Sequence, residues 1–130
     1  MNNKMNVSEI ENYLYGMFKS VSPDRTFVGS LPETIKSNWN DMVLISCDNG
    51  VRDYDAYGNG VMLIFAYARP MSSGTKNVAK LKAMEEAINA IIENQDSSGA
   101  YYVYRVKSYT DYDFSRNWHC NVVSLGITVK

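Results

Sequence analysis

Two stretches of the chain place apolar residues at every third or fourth position, which predicts two amphipathic helices. The first stretch covers residues 7–20 and the second covers residues 75–95. Ser8 and Glu11 fit a capping box, in which each side chain satisfies a backbone N–H near the helix start. The apolar stripes consist of Ile10, Leu14, Met17, Phe18 and Val21 in the first helix, and of Val78, Leu81, Met84, Ile88, Ile91 and Ile92 in the second.

Three other stretches have the pattern of strands. Residues 42–47 form a continuous apolar run, typical of a strand buried on both faces, and residues 61–69 form another that ends at Pro70. Residues 118–129 alternate, which indicates a sheet with one covered face. In this last stretch Val123, Leu125, Ile127 and Val129 share one face, and Val122, Ser124, Gly126 and Thr128 share the other.

The remaining segments have weaker patterns. Residues 26–31, TFVGSL, suggest a short strand, and a Pro- and Asn-containing loop follows them. Residues 51–57 alternate without a clean apolar face, which predicts an exposed strand or arm. Residues 101–109 predict a tyrosine-rich strand, and residues 111–117 predict the tip of a hairpin.

The predicted order of elements is α-(β)-β-β-β-α-β-β. Because strands and helices fall into separate runs, this order favours an α+β fold. We expect a mostly antiparallel β-sheet with two helices packed on one face. The 130 residues predict one domain, residues 1–130.

The composition argues against a nucleic-acid-binding, membrane-spanning or disulfide-rich protein. The net charge is −1, from 13 basic and 14 acidic residues, so the chain lacks the basic excess expected of a nucleic-acid binder. No apolar run reaches the roughly 20 residues of a membrane span, and the N-terminus has no signal-peptide core. Cys47 and Cys120 have no metal-binding or disulfide spacing, which favours a reducing, intracellular environment.

The tripeptide DYD occurs twice, at 53–55 and 111–113. Along a strand, residues two apart lie on one face, so each pair of carboxylates can meet. A metal or acid/base site is one hypothesis, and the alternative is that these charges keep exposed strand edges soluble. The GNG at 58–60 lacks the following helix that a phosphate-binding loop needs.

His119, the one histidine, is a candidate general base with Asp111 or Asp113 across a hairpin. A dyad with Cys120 is disfavoured, because adjacent strand residues point to opposite faces. No nucleophile accompanies these residues, so a surface histidine is the alternative. The ten tyrosines are concentrated at 54–67 and 101–112 and favour partner contact, since tyrosine suits sites that are half dry and half wet.

Three stretches resemble the tail terminator (tail completion, or minor tail) proteins of long-tailed bacteriophages. DMVLISCDN looks like the first sheet strand of that family. YGNGVMLIFAYARP with the 75–95 helix looks like its central strand and neighbouring helix, and YTDYDFSRNWHCNVVSLGITV looks like its closing hairpin. The likeness covers about residues 7–130. The richer tyrosine content and the long 28–41 loop depart from the family pattern.

The resemblance implies a structural phage or prophage component without catalysis, metal or cofactor. Such proteins form a homo-oligomeric ring, a hexamer, on the tail tube and join it to the head. The implied partners are other copies, the tail tube protein and head-connector proteins, with no membrane or direct nucleic-acid contact. The implied location is the host cytoplasm before assembly and the virion tail afterwards. The ring contacts carry over to 51–60 and 109–118, which gives nine candidate interface residues: Asp53, Tyr54, Asp55, Tyr57, Tyr109, Tyr112, Phe114, Arg116 and Trp118.

Two alternatives stay open. One is a small α+β domain that binds a ligand or acts as an enzyme, with Asp111, Asp113 and His119 beside a pocket. The other is an adaptor domain that pairs through a sheet edge.

Overall fold

A computed structural model describes residues 7–47, 62–96, 98–99 and 101–129. Two helices and five strands lie within these ranges. No helix in this part of the chain has the length and apolar character needed to cross a membrane. The elements are α1 (Val7–Phe18), β1 (Thr26–Val28), β2 (Asp41–Cys47), β3 (Met62–Ala68), α2 (Val78–Glu93), β4 (Tyr101–Asp113) and β5 (Trp118–Val129).

The described strands form one sheet in the order β1-β2-β3-β5-β4. β2, β3, β5 and β4 pair antiparallel, and the short β1 pairs parallel to β2. The prediction of an α+β fold with a mostly antiparallel sheet is therefore confirmed. The interior strands β2 and β3 are the continuous apolar runs at 42–47 and 61–69. A central strand loses solvent on both faces, which explains why apolar residues dominate there.

Both helices cover the same face of the sheet, as predicted. Ile10, Leu14 and Phe18 of α1 are fully buried there. Full burial of one such side chain contributes about 1.5–3 kcal/mol, so this stripe holds α1 on the sheet. The same core cluster takes Met84, Ile88 and Ile92 from α2, Val43 and Ile45 from β2, Met62, Ile64 and Ala66 from β3, Val103 from β4, and Val123, Leu125 and Ile127 from β5.

The opposite face of the sheet carries a second, smaller core. Its buried members are Met42, Tyr67, Trp118, Cys120 and Val122. Partly buried side chains of the loop at 29–40 pack against them, namely Leu31, Ile35 and Trp39. Residues 29–31 were predicted to belong to the short strand, which ends at Val28, and the rest of this loop was predicted as irregular chain. The loop covers one end of the second face. We call that face the loop face, and the other the helix face.

β4 is longer than predicted and contains an irregularity. It runs to Asp113, so the second DYD belongs to a paired strand, and the prediction that it forms part of a hairpin tip is wrong. The tip is the turn at 114–117. The pairing register shifts between Arg105 and Lys107, which leaves Val106 as the extra residue of a β-bulge. A bulge reverses the inward and outward alternation beyond it, because side chains in a strand alternate with a period of two.

The helix ends differ from the sequence prediction. α1 already includes Val7, so Ser8 lies in its first turn and not at the predicted cap position. α2 begins at Val78, with the Asn77 side chain accepting a hydrogen bond from the backbone N–H of Lys80 at 3.1 Å. Val78 was predicted to belong to the apolar stripe, but it is 62% exposed because the stripe meets the sheet only from Leu81 onward.

Candidate functional site

The first DYD copy lies outside the described residues. Four candidate interface residues, Asp53, Tyr54, Asp55 and Tyr57, belong to the segment 48–61, which separates β2 from β3. Their predicted role in assembly therefore stays a prediction.

The second DYD copy ends β4 and holds the turn that follows. Asp111 is exposed, and its Oδ1 accepts the backbone N–H of Tyr112 at 2.8 Å. Asp113 Oδ1 accepts the backbone N–H groups of Ser115 and Arg116, and its Oδ2 lies 2.8 Å from Arg116 Nη1. Burial raises the pKa of Asp113, but the hydrogen bonds from Ser115 and Arg116 outweigh it and leave this pKa below its ordinary value. Both carboxylate oxygens of Asp113 are therefore occupied in closing the turn.

The strand register separates His119 from the two carboxylates. Asp111 pairs with Cys120 and Asp113 pairs with Trp118, on the loop face. Tyr112 pairs with His119, and their ring centroids lie 4.6 Å apart. Because neighbouring strand residues point to opposite faces, His119 faces away from Asp111 and Asp113. The three residues do not converge on one site.

Two clefts in the described part of the chain were compared with the positions of Asp111, Asp113 and His119. An apolar groove of about 530 Å³ is lined by residues of α1, of the end of α2 and of the turn after it. A polar cleft of about 330 Å³ lies beside the β4–β5 turn. Neither is lined by Asp111, Asp113 or His119.

β4 is an edge strand whose loop face carries exposed tyrosines. Tyr102, Tyr104 and Tyr109 are 44%, 36% and 43% exposed. They pair with Thr128, Gly126 and Val122 of β5, which alternate along one face. Directly opposite residues share a face, so the three tyrosines lie in one row, which we call the aromatic row. The Nζ of Lys107 lies 5.9 Å from the centroid of the Tyr109 ring.

The candidate residues of the β4–β5 turn divide into exposed and buried ones. Phe114 is 84% exposed, with its ring edge against Tyr112 at a centroid distance of 4.9 Å. Trp118 is 4% exposed and belongs to the core of the loop face. The Arg69 guanidinium lies over the Trp118 ring, 4.8 Å from its centroid. Trp118 therefore packs in the core under the β4–β5 turn, whereas Phe114 and Tyr109 face solvent.

Two arginines fasten the 29–40 loop to the sheet. Arg69 donates from Nε to the carbonyl of Trp39 at 2.6 Å and from Nη2 to the carbonyl of Lys36 at 3.0 Å. Arg116 donates from Nη2 to the carbonyl of Pro32 at 3.1 Å. The polar cleft opens between these contacts and is lined by Glu33, Ile35, Ser37, Arg69, Arg116 and Trp118. We call it the arginine cleft.

A charged cluster around Asp41 was not predicted from the sequence. Asp41, the first residue of β2, is buried and accepts a hydrogen bond from Ser22. Its carboxylate lies 3.1 Å from Arg25 Nη2 and 2.7 Å from Lys80 Nζ. Burial raises the pKa of Asp41, but hydrogen bonds from Lys80, Ser22 and Arg25 outweigh it and hold the pKa below its ordinary value. The one signal in the sequence was an acidic residue at the start of a buried strand.

Asn121 and Arg105 converge on one carboxylate of α2. Glu85 accepts from Arg105 Nη2 at 3.2 Å and from Asn121 Nδ2 at 3.1 Å. The Ser108 hydroxyl donates to the same carboxylate at 3.3 Å. This network ties the outer strand pair to α2 on the helix face. It fixes the position of β4, and hence of the aromatic row on the other side.

Among the described residues, no group of three or more His, Cys, Asp or Glu side chains is arranged to hold a metal ion. Cys47 and Cys120 are free thiols, and burial raises the pKa of each to about 12. No known protein family model and no curated protein matches this chain.

Proposed function

We propose that this chain is a structural subunit of a phage or prophage tail, of the tail terminator type. Its role is to form a ring on the tail tube and to join the tail to the head. The partners are further copies of the chain, the tail tube protein and head-connector proteins. The protein acts without a catalytic centre or cofactor, first in the host cytoplasm and then in the virion tail.

The observation that carries the proposal is the aromatic row on an edge strand. Three tyrosines stand exposed on one face of β4, and the outer backbone edge of β4 has no neighbouring strand in the described sheet. Tyrosine is enriched at protein interfaces because its ring supplies apolar area while its hydroxyl keeps a hydrogen bond. A solvent-exposed edge also offers unpaired N–H and C=O groups to another chain.

The body of the fold fits a subunit that must hold this surface rigid. The β4–β5 pair is fixed to β3 on one side, to α2 through Glu85, and to the 29–40 loop through Arg116. Phe114 extends the exposed aromatic surface to the turn. Subunits of a ring make heterologous contacts that close by rotation, so the surface opposite the aromatic row must belong to a different part of the next copy.

Native mass spectrometry over a concentration series tests the proposal. We expect a concentration-dependent closed ring of the wild-type chain, with six copies as the largest stable species. Adding purified tail tube protein should shift the ring to a higher mass. A strict monomer at every concentration, with no association with tail tubes, would contradict the proposal.

Matched variants test the role of the aromatic row. We expect Tyr109→Ser to lower the ring fraction, whereas Tyr15→Ser, which changes a comparably exposed tyrosine of α1, should leave it unchanged. Both variants should keep the free energy of unfolding within about 0.5 kcal/mol of wild type, as is usual for surface substitutions. Equal loss of rings in both would show that the effect is not specific to β4.

A further inference from the structure

The arginine cleft contains a positive charge without a carboxylate partner. Arg116 is paired with Asp113, but no carboxylate of the described residues lies within salt-bridge distance of Arg69. Both arginines line the cleft, whose volume is about 330 Å³. A guanidinium stays ionised at every physiological pH, so the charge of Arg69 is permanent.

The guanidinium of Arg69 is held in place before any ligand arrives. Its Cζ lies over the ring of Trp118, and its Nε and Nη2 donate to two carbonyls of the 29–40 loop. Nη1 has no hydrogen-bond partner among the described residues. Such a fixed donor loses little rotational freedom on binding, which is the benefit of preorganisation.

The second arginine that lines the cleft also has an unused donor. Nε of Arg116 is buried and has no hydrogen-bond partner among the described residues. The other nitrogens of this guanidinium donate to Asp113 and to the carbonyl of Pro32. A buried donor without a partner is unfavourable, because it has lost its hydrogen bond to water, and a ligand oxygen would restore a hydrogen bond.

We propose that the arginine cleft binds one carboxylate group through Arg69 and Arg116. A single negative charge matches the one guanidinium of the cleft that makes no salt bridge among the described residues. A doubly charged phosphate fits less well, because Asp113 and Glu33 already place negative charge at the cleft. Ile35 and Trp118 give the cleft an apolar wall, which suits a carboxylate on a short hydrocarbon. The inference does not depend on the proposed tail function.

The carboxylate has two sources with the same chemistry. It belongs either to an acidic side chain of another protein or to a free short-chain carboxylic acid. The two tryptophans of the chain, Trp39 and Trp118, both adjoin Arg69, so intrinsic fluorescence reports occupancy. Sodium propionate represents the free acid, and the peptide acetyl-Ala-Glu-Ala-amide represents the side chain.

The experiment is a fluorescence titration at constant ionic strength, with sodium chloride as the balancing salt. We expect a saturable response to propionate below about 100 mM, which detects any site with a millimolar Kd. Tighter binding of the peptide than of propionate identifies a protein side chain as the ligand, and equal or weaker binding identifies a free acid. No saturable response to either probe, or tighter binding of inorganic phosphate than of both, would overturn the proposal.

Variants locate the site. Arg69→Gln should weaken propionate binding by about tenfold or more, the usual worth of a hydrogen bond to a charged group. Arg69→Lys keeps the positive charge but loses the planar guanidinium that can donate two parallel hydrogen bonds to a carboxylate. This variant should therefore also bind propionate more weakly than the wild-type chain does. Arg105→Gln changes an arginine that contacts Glu85 and should leave binding unchanged. Equal weakening by Arg69→Gln and Arg105→Gln would show a general charge effect and overturn the assignment.

A further variant keeps the test decisive if Arg69→Gln loosens the loop. Glu33 is exposed and has no salt bridge among the described residues, so Glu33→Gln should not affect folding. Removing this negative charge from the cleft should tighten propionate binding roughly two- to fivefold, the range expected for one exposed charge pair. Unchanged or weaker binding in Glu33→Gln would contradict a carboxylate in this cleft.

Discussion

The ring of Tyr104 lies over Gly126, its cross-strand partner on β5. A Cβ placed on Gly126 would come within 2.3 Å of the Tyr104 Cζ and 2.5 Å of its hydroxyl oxygen. The glycine therefore provides the space that the tyrosine ring occupies against the sheet. The Tyr104 ring covers the backbone at Gly126, where no side chain shields it from solvent. The same contact positions Tyr104, the middle residue of the aromatic row, close to the sheet.

A double-mutant cycle measures this contact. In the wild-type background, Gly126→Ala should be neutral or destabilising, because the gain from a strand residue with a side chain is offset by displacement of the Tyr104 ring. In the Tyr104→Ala background, the same change should stabilise the chain by about 0.5–1 kcal/mol, the usual cost of glycine in a strand interior. Urea denaturation gives both free energies of unfolding. Equal effects in the two backgrounds would show that the ring does not depend on the glycine.

Asp41→Asn should destabilise the fold strongly. It removes the buried anion that Arg25 and Lys80 share, while both cations remain. We expect a loss of about 2 kcal/mol, below the roughly 3–5 kcal/mol for fully buried pairs, because Arg25 and Lys80 are partly exposed. The control is Glu86→Gln in the exposed Lys82–Glu86 pair, which should cost less than about 0.5 kcal/mol. Similar losses in the two variants would argue against the Asp41 cluster as a stabilising element.

Stability should fall in acid, with Asp41 and Asp113 as two of the causes. Both carboxyl groups have folded-state pKa values below the ordinary value of 3.8. The unfolded chain therefore binds protons at a higher pH than the folded chain does. The stabilisation is complete well above pH 3.8 and is lost as the pH falls through the folded-state pKa values. Urea unfolding between about pH 6 and pH 3 should show this decline. In Asp41→Asn the decline should be shallower, and an unchanged slope would exclude Asp41 as a contributor.

Truncation should destabilise the fold strongly at Trp118 and very little at Phe114. Trp118→Ala removes a buried ring beneath the 29–40 loop and should cost about 3–5 kcal/mol. Phe114→Ala removes an 84% exposed ring and should change the free energy of unfolding by less than about 0.5 kcal/mol. If the proposed function is correct, Phe114→Ala weakens ring formation at unchanged stability. A large loss of stability in Phe114→Ala would show that this ring is structural.

The two thiols should react slowly in the folded protein. Burial raises the pKa of Cys47 and of Cys120 to about 12, so little thiolate is present near pH 8. We expect modification by an aromatic disulfide reagent at least about 100-fold slower than for a free thiol. Cys120, which is 2% exposed, should react more slowly than the partly exposed Cys47. Fast reaction of both thiols would indicate that the strands open readily.

The main layers of the fold could be predicted from periodicity. The stripes of α1 and α2 and the alternation of β5 each repeat over several turns or residue pairs, and each repeat adds to the signal. The register of β4 could not be predicted in this way. Tyrosine is found on both buried and exposed faces of sheets, so the tyrosines of β4 do not indicate which face is covered. The alternation of apolar and polar residues therefore does not reveal the bulge at Val106.

The contacts of single side chains escaped prediction because they join distant segments. Asp41 and Lys80 are far apart in the chain and meet only when α2 lies on the sheet. Arg69 and Arg116 come together through the 29–40 loop, whose sequence predicts mostly irregular structure. Trp118 was grouped with Phe114 by proximity in sequence, but the turn sends one ring into the core and the other into solvent. Local pattern carries no information on such long-range pairings.

The extra residue in β4 determines which face of the sheet the tyrosines after it occupy. Tyr102 and Tyr104 have even numbers and Tyr109 has an odd number, yet all three project from one face because Val106 is skipped in the pairing. If Val106 instead paired with β5 like its neighbours, the alternation would run unbroken along the sequence and every residue beyond it would face the opposite side of the sheet. Tyr109 would then point toward α2, and Tyr112 would take a place beside Tyr102 and Tyr104. One residue without a partner thus decides which aromatic rings this edge shows to its surroundings.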